Sequence, residues 1–222
     1  MSIDRVVLDF DNTLFNAGDF KVALASSLAR LGVSEELFWG TYRNARDEGD
    51  GGCTYRFEKH VDLLSERVCF DKIAALGALK SVLSRAEDFL YPDAKDFLSR
   101  LISLSVPTVL VSHGNVEFQR AKIAAAGVDR LINQTVVTDQ KTPEAIAEVT
   151  ADDTGTVYFI NDHLEETLAV RDRVKNIVPI LKRRPDQPPE RYLGLHMLNF
   201  RTLTEIRDYL TIVQATHPKY AE

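Results

Sequence analysis

Apolar positions along this chain follow two rhythms. One consists of short, nearly unbroken apolar or β-branched runs at residues 6–10, 108–111, 136–137, 157–160 and 177–181. Runs of this kind suit strands buried on both faces. The other is a 3.6-residue period. It appears in Phe20, Leu24, Leu28 and Leu31, in Phe57, Val61, Leu64 and Val68, and in Ile73, Leu76, Leu79, Leu83 and Ala86. Each set predicts one apolar helix face. Strands alternating with helices predict βαβ units, hence an α/β fold with a mainly parallel, Rossmann-like sheet flanked by helices.

The spacing is uneven. About 95 residues separate the first run from the second, and that stretch is helical in pattern. Gly32 suits a C-terminal cap, and Ser34 suits an N-cap ahead of Glu35 and Glu36. Gly49-Asp50-Gly51-Gly52 marks a loop between the second and third helices. The expectation is a four-helix insertion at 16–88 within an α/β core made of 1–15 and 89–222. Phe38 and Trp39 are expected in the core of the insertion. In the second part, Asp93 and Asn115 are expected to cap helices, the second ending at Gly127. Thr142-Pro143-Glu144 predicts another helix start. Asp186-Gln187-Pro188-Pro189 predicts a surface loop.

Composition narrows the function classes. The chain has 222 residues, 45% hydrophobic and 27% charged, as in soluble globular proteins. A net charge of −6 disfavours nucleic acid as a partner. No apolar stretch approaches the roughly 18 residues of a membrane span. Met1-Ser2-Ile3-Asp4-Arg5 leads directly into a strand-like run, unlike a secretory leader. With only Cys53 and Cys69, the expectation is a reducing, cytoplasmic setting without a zinc site. Lys182-Arg183-Arg184 reads as a solvated strand end.

The candidate chemistry collects at strand ends. Asp9 and Asp11 lie one residue apart after Val6-Val7-Leu8. Two carboxylates held together repel each other and call for a cation or a reaction. Ser112-His113-Gly114-Asn115 follows Val109-Leu110-Val111 and offers a hydroxyl and backbone N–H groups ahead of a helix, an anion-binding corner. Lys141 precedes the Pro143 helix. Asn161-Asp162 follows Val157-Tyr158-Phe159-Ile160, with Glu166 four residues beyond. A carboxylate there completes an oxygen-ligand set for a hard divalent ion.

These motifs, in this order, resemble the haloacid dehalogenase-like superfamily over nearly the whole chain. The insertion resembles that family's small α-helical cap. The resemblance implies Asp9 as a nucleophile forming an aspartyl-phosphate and Asp11 as general acid and base. It implies Mg²⁺ on the Asp9 carboxylate, the Asp11 carbonyl and the Asp162 carboxylate. Ser112, the N–H groups of His113 and Gly114, and Lys141 would hold the phosphoryl oxygens. Dehalogenases of the superfamily lack an acid at the Asp11 position, so the resemblance points to a Mg²⁺-dependent phosphatase of a small phosphorylated metabolite, monomer or homodimer. The alternatives are a phosphomutase and a catalytically weak binding protein of the same fold. The fourth motif departs from the family pattern, with Asn161 and Glu166 where Gly or Asp and a later Asp are common. Arg43, Arg46, Tyr55, Arg56, Lys59 and His60 flank the glycine loop. Of these, Arg46, Tyr55, Arg56 and His60 are the candidates for substrate selection.

Overall fold

The five apolar runs become strands of one parallel sheet because each offers β-branched or aromatic side chains to both faces. A computed structural model describes residues 3–48, 52–53, 55–138 and 143–216. The strands are β1 (Ile3–Leu8), β4 (Thr108–His113), β5 (Gln134–Thr138), β6 (Thr156–Asn161) and β7 (Ile177–Lys182). A sixth, β8 (Leu198–Phe200), extends the edge, and the order is β5-β4-β1-β6-β7-β8. The register sets Leu8 beside Leu110 on one side and Ile160 on the other. The chain winds outward from β1 to β5 and then returns to the opposite side at β6. The carboxyl ends of β1, β4 and β6 therefore border a topological switch point, where open α/β sheets bind ligands.

Alternation along the strands divides the core. Val7, Val109, Val111, Val157 and Phe159 pack with Ile146 of α7 (Pro143–Val149) and Val170 of α8 (Leu164–Arg173). Val6, Leu8, Leu110 and Ile160 face the other way, toward Phe97 of α5 (Ala94–Ser103), Ile123 of α6 (Val116–Ala125) and Leu210 of α9 (Leu203–Thr216). Asn115 caps α6 as its sequence predicts, accepting from the Phe118 N–H. Asp93 does not cap α5 through its side chain. Its carboxylate accepts from the N–H and hydroxyl of Thr204 and ties α5 to the start of α9.

Between β1 and β4 lie α1 (Ala17–Ala29), α2 (Glu35–Arg46), α3 (Phe57–Ser65) and α4 (Lys72–Leu83). Asn16 caps α1, and the Ser34 hydroxyl accepts from Leu37 at the start of α2. A two-residue hairpin, β2 (Asp47–Glu48) with β3 (Gly52–Cys53), joins α2 to α3 where only a loop was expected. Gly49, Asp50 and Gly51 lie outside the described residues. The expected face of α4 holds except at its first position: Leu79 is buried, Leu76 and Leu83 pack half-buried against the core, and Ala86 is buried just beyond the helix. Asp71 caps the helix, Ala75 and Val82 join the buried side, and Ile73 is 83% exposed. Phe38 is core, but Trp39 lies at the surface with its indole N–H on Glu35. No helix among the described residues is long and apolar enough to cross a membrane.

His60 is a structural group in this segment rather than a substrate contact. It is fully buried beside Phe38 and Tyr42. The Thr41 hydroxyl donates to the Leu37 carbonyl and is 3.0 Å from His60 Nε2, and the Tyr55 hydroxyl is 3.0 Å from Nδ1. This arrangement assigns a neutral ring with Nε2–H donating to Thr41 and Nδ1 accepting from Tyr55. Burial pushes its pKa from 6.5 down to about 4. The folded state then binds fewer protons than the unfolded chain between those values, so stability rises with pH across the window. Acidification from pH 6.5 to 4 is expected to cost up to about 3 kcal/mol through this group. Urea unfolding against pH would check it: His60→Gln should flatten the dependence, and an unchanged slope would refute the assignment.

Candidate active site

The turn after β1 builds the site. Phe10 and Phe15 stack at 5.0 Å, and the Phe10 carbonyl accepts from both Leu14 and Phe15. That closure bends the chain at Asn12, whose φ is 61°, and carries Asp9 and Asp11 to one cavity of about 340 Å³. Asp9 is 3% exposed and its N–H donates to Ile160, the last residue before Asn161 and Asp162 on the neighbouring strand. Asp162 is also buried, and Glu166 lines the same cavity. The Asn161 side chain donates to Glu166 at 3.0 Å and accepts from the Asp162 N–H. Asn161 thus fixes both acids from behind.

The fourth motif fits a hard cation. Among the described residues no three His, Cys, Asp or Glu side chains group as a metal cluster. Two buried carboxylates, Asp9 and Asp162, follow the neighbouring strands β1 and β6 and line one cavity with Asp11. Such a set suits an ion that keeps much of its water, as Mg²⁺ does.

Ser112, at the end of β4, is 1% exposed, lines the cavity, and has a hydroxyl without a hydrogen-bond partner among the described residues. A buried hydroxyl in that state awaits a ligand atom. His113 also lines the cavity. Gly114 corrects the sequence expectation, because its N–H donates to the Thr138 carbonyl at 3.0 Å and is already engaged. Its contribution is conformational: φ is +135°, and a Cβ would meet the Gln119 side chain at 3.2 Å. Lys141 lies outside the described residues.

Asp11 is held by partners the sequence reading did not single out. Lys122 of α6 donates to both carboxylate oxygens at 2.7 and 2.8 Å, and Gln119 donates at 2.9 Å. Lys122 is only 4% exposed, and its ammonium sits over the Phe10, Phe15 and Phe118 rings. Burial acts to raise the Asp11 pKa, but Lys122 and Gln119 outweigh it and hold the carboxyl below its usual value. Gln119 and Lys122 stand four and seven residues beyond Asn115. That spacing puts them on the helix face above the strand ends, a signal available in the sequence.

The basic cluster after β7 also departs from its sequence reading. Lys182 is 2% exposed, donates to the Asn12 carbonyl at 3.1 Å, and lies 3.6 Å from the Tyr91 ring centre. Burial pushes its pKa down to about 8 against the pull of Asp162, Asp93 and Asp9. Arg184 lines the cavity, 3.6 Å from Asp162 and paired with Asp186.

The helical segment supplies the remaining wall through Lys21, Tyr42, Arg46 and Tyr55. Arg46 and Tyr55 reach the cavity as expected, although the Tyr55 hydroxyl is turned inward to His60. Neither Arg56 nor His60 lines it.

This chain matches the family model of the haloacid dehalogenase-like hydrolases over residues 3–153, and it belongs to that family. No curated protein matches it in sequence. Solved structures share the fold. A putative haloacid dehalogenase-like hydrolase from Burkholderia xenovorans LB400 aligns with a TM-score of 0.71 at 19% identity, covering 93% of this chain and 98% of that one. A predicted phosphoglycolate phosphatase from Haemophilus somnus gives 0.59 at 14% identity, covering 94% and 98%. The L-2-haloacid dehalogenase RSc1362 gives 0.62 at 16% identity, covering 95% and 100%. Both phosphatase and dehalogenase descriptions thus occur among proteins similar to this chain.

Proposed function

We propose that this hydrolase is a Mg²⁺-dependent phosphatase of small phosphorylated metabolites, with the four-helix segment at 16–88 acting as a cap over the core. The observation that carries this reading is the Asp11 carboxylate, held beside Asp9 at the same cavity. An alkoxide leaving group needs a proton, whereas a halide does not.

Asp9 attacks phosphorus, forming an aspartyl-phosphate as the P–O bond to the alcohol breaks. Asp11 gives the departing oxygen a proton, then takes one from the water that cleaves the acyl phosphate. The anionic ester near Asp11 raises its affinity for that first proton, opposing Lys122. Ser112 and His113 bind the phosphoryl oxygens, joined by Lys141 through its place in the motif order. Asp9, Asp162 and the Asp11 carbonyl would hold Mg²⁺, which when bound would neutralise charge between two anions.

The test is a phosphate-release screen over a metabolite panel with Mg²⁺, run beside halide release from 2-haloacids. Phosphate release is expected, falling more than about 100-fold on chelation and returning with added Mg²⁺. Halide release without phosphate release would overturn the reading, and a rearranged ester without free phosphate would make the protein a mutase.

A further inference from the structure

Lys21 is one of the cations lining this cavity that neither the family motifs nor the catalytic steps use. It lies on the second turn of α1, half-buried, with its ammonium 5.7 Å from the Tyr42 ring centre. Among the described residues it has no carboxylate within ion-pair distance. Its neighbours are otherwise accounted for: Lys122 is paired with Asp11, and Arg184 with Asp162 and Asp186. Arg46 is close enough that its charge adds to the burial that lowers the Lys21 pKa, with Asp11 pulling the other way. A partly desolvated ammonium pressed by like charges favours an arriving anion.

Position decides which anion. The phosphoryl group belongs against Asp9 and Ser112 at the strand ends. Asp11 faces the departing oxygen. Lys21 lines the same cavity from the helical segment, with Tyr42 and Arg46. We infer that Lys21 receives a second negative charge on the leaving alcohol, so that the preferred esters carry a carboxylate or a second phosphate a few atoms from the reacting phosphorus. This rests on the phosphatase reading. At about 340 Å³ the cavity is at the small end for ligand sites, which suits a small ester.

The test uses the full chain with Mg²⁺ and three phosphate esters of one carbon chain, ending in a hydroxyl, a carboxylate or a second phosphate. The readout is the ratio of kcat/KM for each charged ester to that for the neutral one. A ratio of about 10 to 100 is expected for one charged ester, and whichever is preferred identifies the second group. Lys21→Met should bring that ratio below about 3, and Lys21→Arg should restore most of it. A lysine that only balanced Asp11 would slow all three esters alike. A wild-type ratio near 1, or a ratio unchanged in Lys21→Met, overturns the inference. Calorimetric binding of the same esters to Asp9→Asn gives the ratio without turnover. Selective binding lost with Lys21 in a protein that releases no phosphate would keep the anion subsite and discard the phosphatase reading. Equal binding of neutral and charged esters would overturn the subsite.

Discussion

Asp9→Asn is expected to lower phosphate release by more than about 10⁴-fold, because the amide cannot serve as the oxygen nucleophile. The fold should survive. Asp9 and Asp162 are both buried after neighbouring strands, and neutralising one of two such carboxylates eases like-charge repulsion there. Thermal unfolding of the variant is therefore expected at or above the wild-type midpoint. This pairing of outcomes separates chemistry from folding. A variant that keeps activity within tenfold would dismiss Asp9 as nucleophile. One that loses activity and a large part of its stability would mark Asp9 as a structural acid. Asp11→Asn should be milder, about 10² to 10⁴-fold, since the nucleophile remains and only proton transfer suffers.

What the sequence disclosed followed from how each residue couples to its neighbours. The buried strands β1, β4, β6 and β7 were legible because a strand covered on both faces must be largely apolar, and residues 6–8 and 157–160 meet that demand. Asp9, Ser112 and Asp162 were legible because they follow such strands directly. β8 was not, since three half-buried residues at a sheet edge carry no pattern. Ile73 misled because it lies in the first turn of α4, where a residue that fits the apolar period still faces water. His60 read as a cationic cap residue because its spacing from the glycine loop says nothing about the Thr41 and Tyr55 hydroxyls that enclose it. Lys182 read as solvated because a lysine after a strand usually is. Its burial depends on Tyr91 and on the Asn12 carbonyl, which are 91 and 170 positions away. Lys21 shares this difficulty: it is an ordinary helical lysine until the fold brings it to the cavity that Asp11 lines.

Lys122→Met is expected to lower phosphate release about 100-fold, although Lys122 touches no reacting atom in the proposed mechanism. Its stem is buried among Phe10, Phe15 and Phe118, and Met refills most of that volume. The lost group is the ammonium that contacts both Asp11 oxygens. Breaking a buried pair by removing one partner costs about 3–5 kcal/mol, and less where the remaining partner reaches water. The Asp11 side chain is 30% exposed and keeps its Gln119 contact, so the stability loss should be about 1–2 kcal/mol. A double-mutant cycle distinguishes its role. If Lys122 acts only by holding Asp11, then Lys122→Met placed on Asp11→Asn should cost less than about threefold more. If the two losses instead multiply, Lys122 acts on the substrate itself and the Asp11 contact is incidental. The first outcome follows from the geometry: the Lys122 ammonium donates to both Asp11 oxygens and otherwise lies against the Phe10, Phe15 and Phe118 rings.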